Sequence, residues 1–446
     1  MTRAQGTTAG WAGVPTDRLQ QLLGGRYIDP ETGVPAPVAT RELVIAETLA
    51  GNEADLVDGL GFGRKLAVVS DQTTAAVLGN QVEAALRGRY EVQSLVLPAN
   101  PYADESTVAR LRSAASGADA FIAVGSGTIN DLTKYASARE GKPYAVFATA
   151  PSMNGFVSLT ASITVGGHKS TLPAQAPVGA FFDLRVLAAA PKRMICAGLG
   201  DSICRTTAQV DWLLSHLLLG TSYRELPFDL QRDDEPKLLD QAEALTRGDL
   251  GAMETLTRTL LLSGFGTAII GSSAPASQGE HLVSHYIDML APAARPPMLH
   301  GEQIAVTTLS MAKLQRAMLS GPPPVLAPDT DNGTAILERY GPELSTSISA
   351  EFAPKRLDRG KADELNDKLA QDWGRICERL STALLPRDRI EAALRAAGAP
   401  LTSAEIGLER SFYEQAMLHS REIRNRFTML DLAVPSGRMA SLLPTL

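Results

Sequence analysis

The chain has 446 residues, 44% of them hydrophobic and 20% charged, which is typical of a globular protein and long enough for two cores. Its formal net charge of −7 excludes the basic surface that binds nucleic acid or an anionic membrane. The three cysteines lack disulfide-framework spacing, which favours a cytoplasmic protein, and the apolar stretches are shorter than the roughly 20 residues that span a bilayer.

Alternating strands and helices are predicted in the first part of the chain. Before residue 60, only Arg41–Leu49 has the pattern of a strand or a helix. Apolar runs bounded by turn residues then predict strands at Lys65–Ser70, Val92–Leu97, Ala118–Val124 and Tyr144–Thr149. Helical spacing of apolar residues predicts helices between them, at Thr74–Arg87, Glu105–Ala115 and Asp131–Arg139. This order predicts right-handed βαβ units on a parallel sheet.

The pattern changes after this alternation. Gly166-Gly167 separates the short runs Ala161–Val165 and Lys169–Leu172, and it predicts a hairpin because glycines supply the positive φ that the turn needs. From Lys192 onward nearly every stretch has the pattern of a helix. We therefore predict an α/β domain over residues 1–190 and an all-α domain over residues 191–446.

The segment Gly125-Ser126-Gly127-Thr128 follows the third predicted strand and precedes a helix. In that place glycines let backbone N–H groups approach a phosphate, and the helix N-terminus adds partial positive charge. The alternative is a tight strand-to-helix turn with a polar cap, and two glycines do not decide between them. Asp71, which follows the first predicted strand, either bonds a coenzyme ribose, which favours NAD over NADP, or caps the next helix.

Three of the six histidines, His281, His285 and His300, fall within a stretch of 20 residues. The first two lie one turn apart on a predicted helix, and His300 stands at a predicted helix start. Two imidazoles and one carboxylate leave a coordination position open, as in catalytic zinc sites. We choose Asp201, at a glycine-rich turn leading into a helix, although several acids would serve. Core or surface histidines are the alternative.

Several segments together resemble the superfamily of iron-type alcohol dehydrogenases, glycerol dehydrogenases and dehydroquinate synthases. Within it, the chain is similar to the sn-glycerol-1-phosphate dehydrogenases, including their bacterial branch, from about Lys65 to Ala433. The resemblance rests on Gly125–Tyr135, Ala150–Gly155, Gly198–Asp201, Gly279–Tyr286, His300–Glu302 and Ile423–Thr428.

The resemblance implies a Rossmann-like domain that binds the nucleotide, a helical domain that binds metal and substrate, and an active site in the cleft between them. It implies NAD or NADP as coenzyme. It also implies one divalent metal, zinc or nickel with iron as an alternative, on Asp201, His281 and His300. The residues that it assigns to the coenzyme are Asp71, Gly125, Ser126, Gly127, Thr128, Asp131, Thr149 and Ser152.

Two departures from the family pattern bear on the substrate. Relatives have Asp where this chain has Asn154, which can hydrogen-bond substrate hydroxyls but carries no charge; Ser158 is assigned to the same substrate site. Ala274 stands where a basic side chain is expected, and Gln278 replaces a small residue. If that base holds a substrate phosphate, a related polyol phosphate or a diol becomes an alternative to glycerol phosphate.

Four further residues have candidate roles, each with a structural alternative. His285 is either a proton relay to water or a support for His281. Lys169 either lies near the nicotinamide or substrate or is an exposed strand lysine. Arg424 and Arg426 either contact an anion or lie on a solvated helix face.

The sequence thus predicts a metal-dependent, NAD(P)-linked dehydrogenase that interconverts sn-glycerol 1-phosphate and dihydroxyacetone phosphate, and we expect a homo-oligomer. One alternative is a sugar-phosphate cyclase like dehydroquinate synthase, although those relatives commonly have Glu as the first ligand. The others are a dehydrogenase of a non-phosphorylated polyol and a binding protein with a dead site.

Overall fold

The computed structural model describes residues 17–166, 168–292, 296–330 and 333–445, with His168 and Lys169 described by their backbone alone. The described chain forms two compact units. The first extends to Gly198 and includes Asp229–Ser272, and the second comprises Leu199–Phe228 and the chain from Ser273 onward. Among the described residues, no helix has the length and apolar character needed to cross a membrane.

The first unit contains a six-stranded parallel sheet. Its strands and those of a separate hairpin are β1 (Glu42–Ala46), β2 (Lys65–Asp71), β3 (Glu91–Leu97), β4 (Ala120–Gly125), β5 (Tyr144–Ala148), β6 (Thr160–Val165), β7 (His168–Pro173) and β8 (Gly179–Asp183). The sheet order is β1-β8-β5-β4-β2-β3, and every neighbouring pair is parallel.

The four strands predicted after residue 64 are confirmed as β2 to β5. The strands β4, β5 and β8 lie in the middle of the sheet order and are buried at every residue, as expected where both faces of a parallel sheet are covered. The prediction missed β8, and β1 resolves the ambiguous Arg41–Leu49 pattern as a strand. Because β1 precedes the others, the glycine segment follows the fourth strand of the chain and not the third.

Helices make up most of the remaining chain. They are α1 (Arg18–Leu23), α2 (Glu53–Asp58), α3 (Gln72–Thr74), α4 (Asn80–Arg87), α5 (Glu105–Ala114), α6 (Gly127–Glu140), α7 (Leu184–Ala188), α8 (Lys192–Ile203), α9 (Arg205–Leu219), α10 (Leu226–Gln231), α11 (Asp234–Asp240), α12 (Ala242–Leu245), α13 (Leu250–Ile270), α14 (Gly279–Leu290), α15 (His300–Leu319), α16 (Gly333–Phe352), α17 (Arg359–Ser381), α18 (Arg387–Ala397), α19 (Arg410–His419), α20 (Leu430–Ala433) and α21 (Arg438–Leu442).

These helices confirm the helical second part of the chain and the helix after the glycine segment. The helix predicted over Thr74–Arg87 is divided, because a π-helical turn at Ala75–Gly79 separates α3 from α4. The division between the two compact units falls inside α8. The assignment of nucleotide binding to residues 1–190 and of metal and substrate binding to residues 191–446 stays a prediction.

The predicted hairpin is present as β6 and β7, which pair antiparallel. Gly166 adopts a φ of 55° at the turn, the left-handed region that glycine enters at little cost. Gly167, the second glycine of the prediction, lies outside the described residues.

The second unit combines an apolar core with a buried ion cluster. The core is formed by aliphatic and aromatic side chains, many of them from α9, α14, α15 and α17. In the cluster, Arg421 binds Asp329 at 2.6 Å and Asp431 at 3.0 Å. Lys355 lies 3.1 Å from the same Asp431 carboxylate, and burial, partly offset by Asp431, lowers its pKa to about 8. The arginine thus compensates two carboxylates that have little access to water.

We expect Arg421→Met to lower the free energy of unfolding by about 3–5 kcal/mol, because removing one partner leaves buried charge uncompensated. Arg395→Met is the matched control, since the Arg395 side chain is 65% exposed and pairs with Glu391 at the surface; it should cost about 0.5 kcal/mol or less. Guanidinium chloride titrations followed by circular dichroism measure both. Equal losses of unfolding free energy in the two variants would contradict a large contribution of the buried ion cluster to stability.

Candidate active site

Asp201 lies in the last turn of α8, so the prediction of a glycine-rich turn before a helix is wrong at this point. Gly198 and Gly200 are helical residues. A Cβ on Gly200 would lie 2.2 Å from the carbonyl oxygen of Gly301, which is far inside van der Waals contact. Glycine therefore permits α8 to approach the first turn of α15, and this approach brings Asp201 beside His300.

The two histidine-bearing helices begin where the sequence predicts. His281 and His285 lie one turn apart on α14, and α15 begins at His300. Asp211 on α9 fixes the start of α14, because its buried carboxylate accepts a hydrogen bond from the Gly279 N–H at 3.1 Å. Burial, followed by the charge of Glu280, raises the pKa of Asp211 to about 7.

Asp201, His281 and His300 converge with their ligand atoms facing one another. The Nε2 atoms of the two histidines are 3.3 Å apart, and each lies 3.9 Å from Oδ1 of Asp201. Ligand atoms about 2.0–2.2 Å from a tetrahedral zinc ion lie roughly 3.3–3.6 Å from one another. The two histidine nitrogens are within this range and the two distances to Asp201 exceed it by about 0.3 Å, so the three atoms are close to the spacing of a divalent-cation site. Asp201 and His281 are buried whereas His300 is partly exposed.

Glu280 orients the His281 ring. Its Oε1 lies 2.9 Å from Nδ1 of His281. Burial opposes ionisation of Glu280, but the hydrogen bond with His281 and the charge of that ring bring its pKa below the ordinary value. An ionised carboxylate can only accept, so Nδ1 carries a hydrogen and Nε2 is the nitrogen whose lone pair would bind a cation. This tautomer is the one that a metal requires.

A second set of ligand-type atoms, on Cys204, Glu280 and His281, is also compact. It is less suited to a cation for two reasons. Glu280 is already bonded to Nδ1 of His281, and burial raises the pKa of the Cys204 thiol well above its ordinary value. The thiol instead donates to the Asp201 carbonyl oxygen at 3.0 Å. The aspartate and the two histidines are therefore the better candidate set for a cation.

In the first unit, the glycine segment links β4 to α6. Gly125 ends the strand and Gly127 begins the helix. A Cβ on Gly125 would lie 2.4 Å from the Ile129 side chain, so the turn requires glycine there. The side chain of Ser126, the residue at the N-cap of this helix, makes no capping hydrogen bond. The first backbone N–H groups of a 14-residue helix are thus available for a phosphate, as in nucleotide-binding turns.

The neighbouring predicted coenzyme residues lie around this turn. Ser152 and Ser126 are joined through their hydroxyls at 2.5 Å, and the Thr149 N–H donates to the Gly125 carbonyl oxygen at 3.2 Å. Thr128 is exposed on the first turn of α6. The structure therefore brings Ser126, Thr128, Thr149 and Ser152 together; their contact with a coenzyme stays a prediction.

Two predicted coenzyme acids have structural partners. Asp71 caps α3, since Oδ1 accepts from the N–H groups of Thr73 and Thr74, as its structural alternative predicts. Asp131 accepts from the Ser162 N–H at 3.0 Å and so connects α6 to β6. A ribose contact by Asp71 and a coenzyme contact by Asp131 remain predictions.

The predicted substrate residues follow β5. The Asn154 amide lies 3.4 Å from the Ser263 hydroxyl. The Ser158 hydroxyl is buried and lies 3.0 Å from the carbonyl oxygens of both Gly155 and Thr160. Substrate contact by Asn154 and Ser158 stays a prediction, and Ser158 has a clear role in shaping the loop.

Lys134 on α6 binds this loop through hydrogen bonds. The sequence analysis did not identify it. Its ammonium group, fully buried, donates to Ser158 Oγ and to the carbonyl oxygens of Gly155 and Thr160 at 2.5–3.1 Å. Burial, partly offset by Asp131, lowers its pKa to about 8. Three donors meeting three oxygens satisfy a lysine completely.

The remaining candidates have different outcomes. The His285 ring lies 6.1 Å, between centroids, from both His281 and His300, so it belongs to the histidine group, and its role as a relay or support stays a prediction. Lys169 lies in β7, but its side chain is outside what the structure describes. Arg424 and Arg426 are half-buried, which differs from the solvated-face alternative.

Comparison with known proteins agrees with this architecture. Residues 44–191 match the family model described as iron-containing alcohol dehydrogenase. A glycerol-1-phosphate dehydrogenase of Thermococcus kodakarensis, named for NAD(P)+, is 34% identical over 61% of this chain and 77% of its own length. A protein of the same name from Halalkalibacterium halodurans is 30% identical, over 82% of this chain and 85% of its own.

Solved structures show the same fold at low sequence identity. Glycerol dehydrogenase from Schizosaccharomyces pombe superposes with a TM-score of 0.54 at 18% identity, covering 91% of this chain and 90% of its own. Maleylacetate reductase from Rhizobium sp. strain MTP-10005 superposes with a TM-score of 0.57 at 17% identity, covering 92% of this chain and 96% of its own.

We expect Lys134→Met to change how stability depends on pH. Between about pH 8 and 10.5 the unfolded chain binds a proton at Lys134 that the folded chain lacks, so this lysine makes stability rise with pH, by about 3 kcal/mol over the window. The variant should lose that rise. Denaturant titrations at pH 7 to 10 measure it.

Lys65→Met removes an exposed charge from β2 and serves as the control. Parallel pH profiles of wild type and Lys134→Met would contradict the assignment of a buried, proton-releasing lysine.

Proposed function

Because the chain belongs to the glycerol-1-phosphate dehydrogenase family, we propose that it interconverts sn-glycerol 1-phosphate and dihydroxyacetone phosphate with NAD(P) and a divalent metal. The observation that carries the proposal is the convergence of Asp201, His281 and His300 on one point. Zinc and nickel are the expected metals, with iron as the alternative. We further propose that the protein acts in the cytoplasm as a homo-oligomer.

The three ligands would hold the cation through one carboxylate oxygen and two imidazole nitrogens. A bound divalent cation supplies Lewis-acid polarisation of the substrate oxygen, which favours the alkoxide in oxidation and the electron-poor carbonyl carbon in reduction. Glu280 contributes by accepting the Nδ1 hydrogen of His281, which leaves Nε2 as the nitrogen that would bind the cation. Its negative charge also strengthens the basicity of that nitrogen.

The glycine segment would bind the coenzyme pyrophosphate through backbone N–H groups. This mode needs no basic side chain, because the first turn of α6 has unpaired donors and the helix dipole favours negative charge. Lys134 acts indirectly by fixing the carbonyl oxygens of Gly155 and Thr160, and through them the loop that carries Asn154.

The reaction also moves a proton, and His285 is the residue that we propose for it. Bound NAD(P) would accept or supply the hydride, so the substrate oxygen would have to lose or gain a proton. His285 is half-buried and lies one turn along α14 from His281, and an imidazole has one nitrogen that can donate a proton and one that can accept it. It can therefore exchange that proton with water.

A second candidate substrate is a non-phosphorylated polyol, favoured by Ala274, which places no charge where relatives have a base. The two candidates differ in whether the substrate has a phosphate. Rates with dihydroxyacetone phosphate and with dihydroxyacetone, followed by NADH absorbance, separate them.

We expect chelation to abolish NADH-linked reduction of dihydroxyacetone phosphate and added zinc or nickel to restore it. His281→Ala should lower the bound metal from one equivalent to a small fraction and lower kcat/KM by at least about 10³-fold, since a catalytic metal contributes several kcal/mol. Metal analysis and initial rates measure these effects.

His216→Ala is the matched control, because His216 is an exposed histidine of the same unit, on α9; metal content and rate should be those of wild type. Wild-type activity in His281→Ala, or in metal-free protein, would sink the proposal.

A further inference from the structure

Arg426 and Arg424 form a basic group near the start of α14 that the reaction described above does not use. We propose that this group, with the Ser273 hydroxyl, binds the phosphate of the substrate. The inference rests on the proposed function and deepens it, since it names the residues that recognise a phosphate monoester.

The guanidinium of Arg426 is anchored to the segment that leads into α14. Nη2 donates to Ser273 Oγ at 2.7 Å, and Nη1 donates to the Ser277 carbonyl oxygen. Ser277 is extended, lies two residues before the start of α14 and precedes His281 by four residues. The positive charge is therefore fixed within the same stretch of chain that carries a metal ligand, as recognition of a small substrate requires.

Donor capacity remains at this place for an oxyanion. A guanidinium has five N–H donors, and the two bonds above occupy two of them. The Ser273 hydroxyl accepts from Arg426, so its own hydrogen is left to donate. Arg426, Arg424 and Ser273 are each half-buried, so a ligand can reach them while much of the surrounding water is excluded.

The local charge balance favours an anion. Burial, followed by the charge of Arg424, lowers the pKa of Arg426 to about 10, and burial lowers that of Arg424. The acids that face them are Glu280 and Glu351, and both have other bonds: Glu280 with His281, and Glu351 with the Asn425 N–H. A dianionic phosphate would add negative charge beside both arginines through charge-assisted hydrogen bonds.

The same contacts explain how the chain manages with Ala274. Ala274 carries no charge. The Arg426 guanidinium supplies positive charge on both sides of this position, because it bonds Ser273 and Ser277. Gln278 supports this turn, since its side-chain amide donates to the Ala274 carbonyl oxygen at 2.9 Å. The departures at Ala274 and Gln278 are thus compatible with a phosphorylated substrate.

The test compares a phosphorylated with a non-phosphorylated substrate. For Arg426→Gln we expect the KM for dihydroxyacetone phosphate to rise about 10- to 100-fold, the effect of losing one charge-assisted hydrogen bond. The kcat/KM for dihydroxyacetone should change less than about twofold. Arg426→Lys keeps the charge but loses the paired N–H donors of the guanidinium. Its KM for dihydroxyacetone phosphate should lie between those of wild type and Arg426→Gln. Arg395→Gln controls for the loss of a surface arginine.

Inorganic phosphate supplies a readout that does not depend on turnover. Calorimetry at pH 8 should show phosphate binding to the metal-loaded wild type, competitive with dihydroxyacetone phosphate, and at least about tenfold weaker binding to Arg426→Gln. If wild type reduces neither ketone, the proposed function fails while this measurement still decides the anion site. Equal losses with both ketones, or unchanged phosphate binding in Arg426→Gln, would overturn the assignment.

Discussion

The contact between Gly200 and the Gly301 carbonyl oxygen is the constraint on which the geometry of the proposed metal site depends. Two helices can approach this closely only where one of them has no side chain, since any Cβ on Gly200 would lie 2.2 Å from that oxygen. The approach sets Asp201 and His300 side by side, although 99 positions separate them in the chain. A glycine that weakens α8 by roughly 1 kcal/mol relative to alanine is therefore retained where it brings a carboxylate to an imidazole.

A second constraint connects the proposed metal site to the segment that carries Arg426. It acts through the carboxylate of Asp211. Asp211 accepts from the Gly279 N–H, which begins α14, and from the Met429 N–H, three residues after Arg426. Gln315 donates to the same carboxylate at 2.9 Å, which draws in α15. One buried group thus fixes the start of the helix that carries His281 relative to the segment that carries Arg426. Its hydrogen bonds offset the burial that raises its pKa, as buried polar groups require.

The sequence predicted the elements whose signals are local and missed those that depend on tertiary contacts. Alternating apolar runs identified β2 to β5, and the histidine spacing identified α14. The short strand β8 was missed because β1 and β5, its partners in the sheet, are distant in the chain. Asp201 was placed in a turn because glycines usually break helices, and only the packing on Gly301 explains them. Glu280 and Lys134 were missed because their roles arise from the atoms that they meet.

The acidic balance of the chain and its proposed anionic substrate are compatible because the relevant electrostatics are short-ranged. At physiological ionic strength a charge is screened over about 8 Å, so a net charge of −7 spread over the surface contributes little at a half-buried guanidinium. The fixed groups nearby dominate instead: the first turn of α6 at the proposed coenzyme site, and Arg426 with Arg424 at the proposed phosphate site. In both places the donors are already held by the fold, so little ordering remains to be done when an anion binds, and preorganised donors stabilise charge more strongly than mobile ones. Charge that is fixed and partly removed from water, and not the sum over the surface, decides what this protein binds.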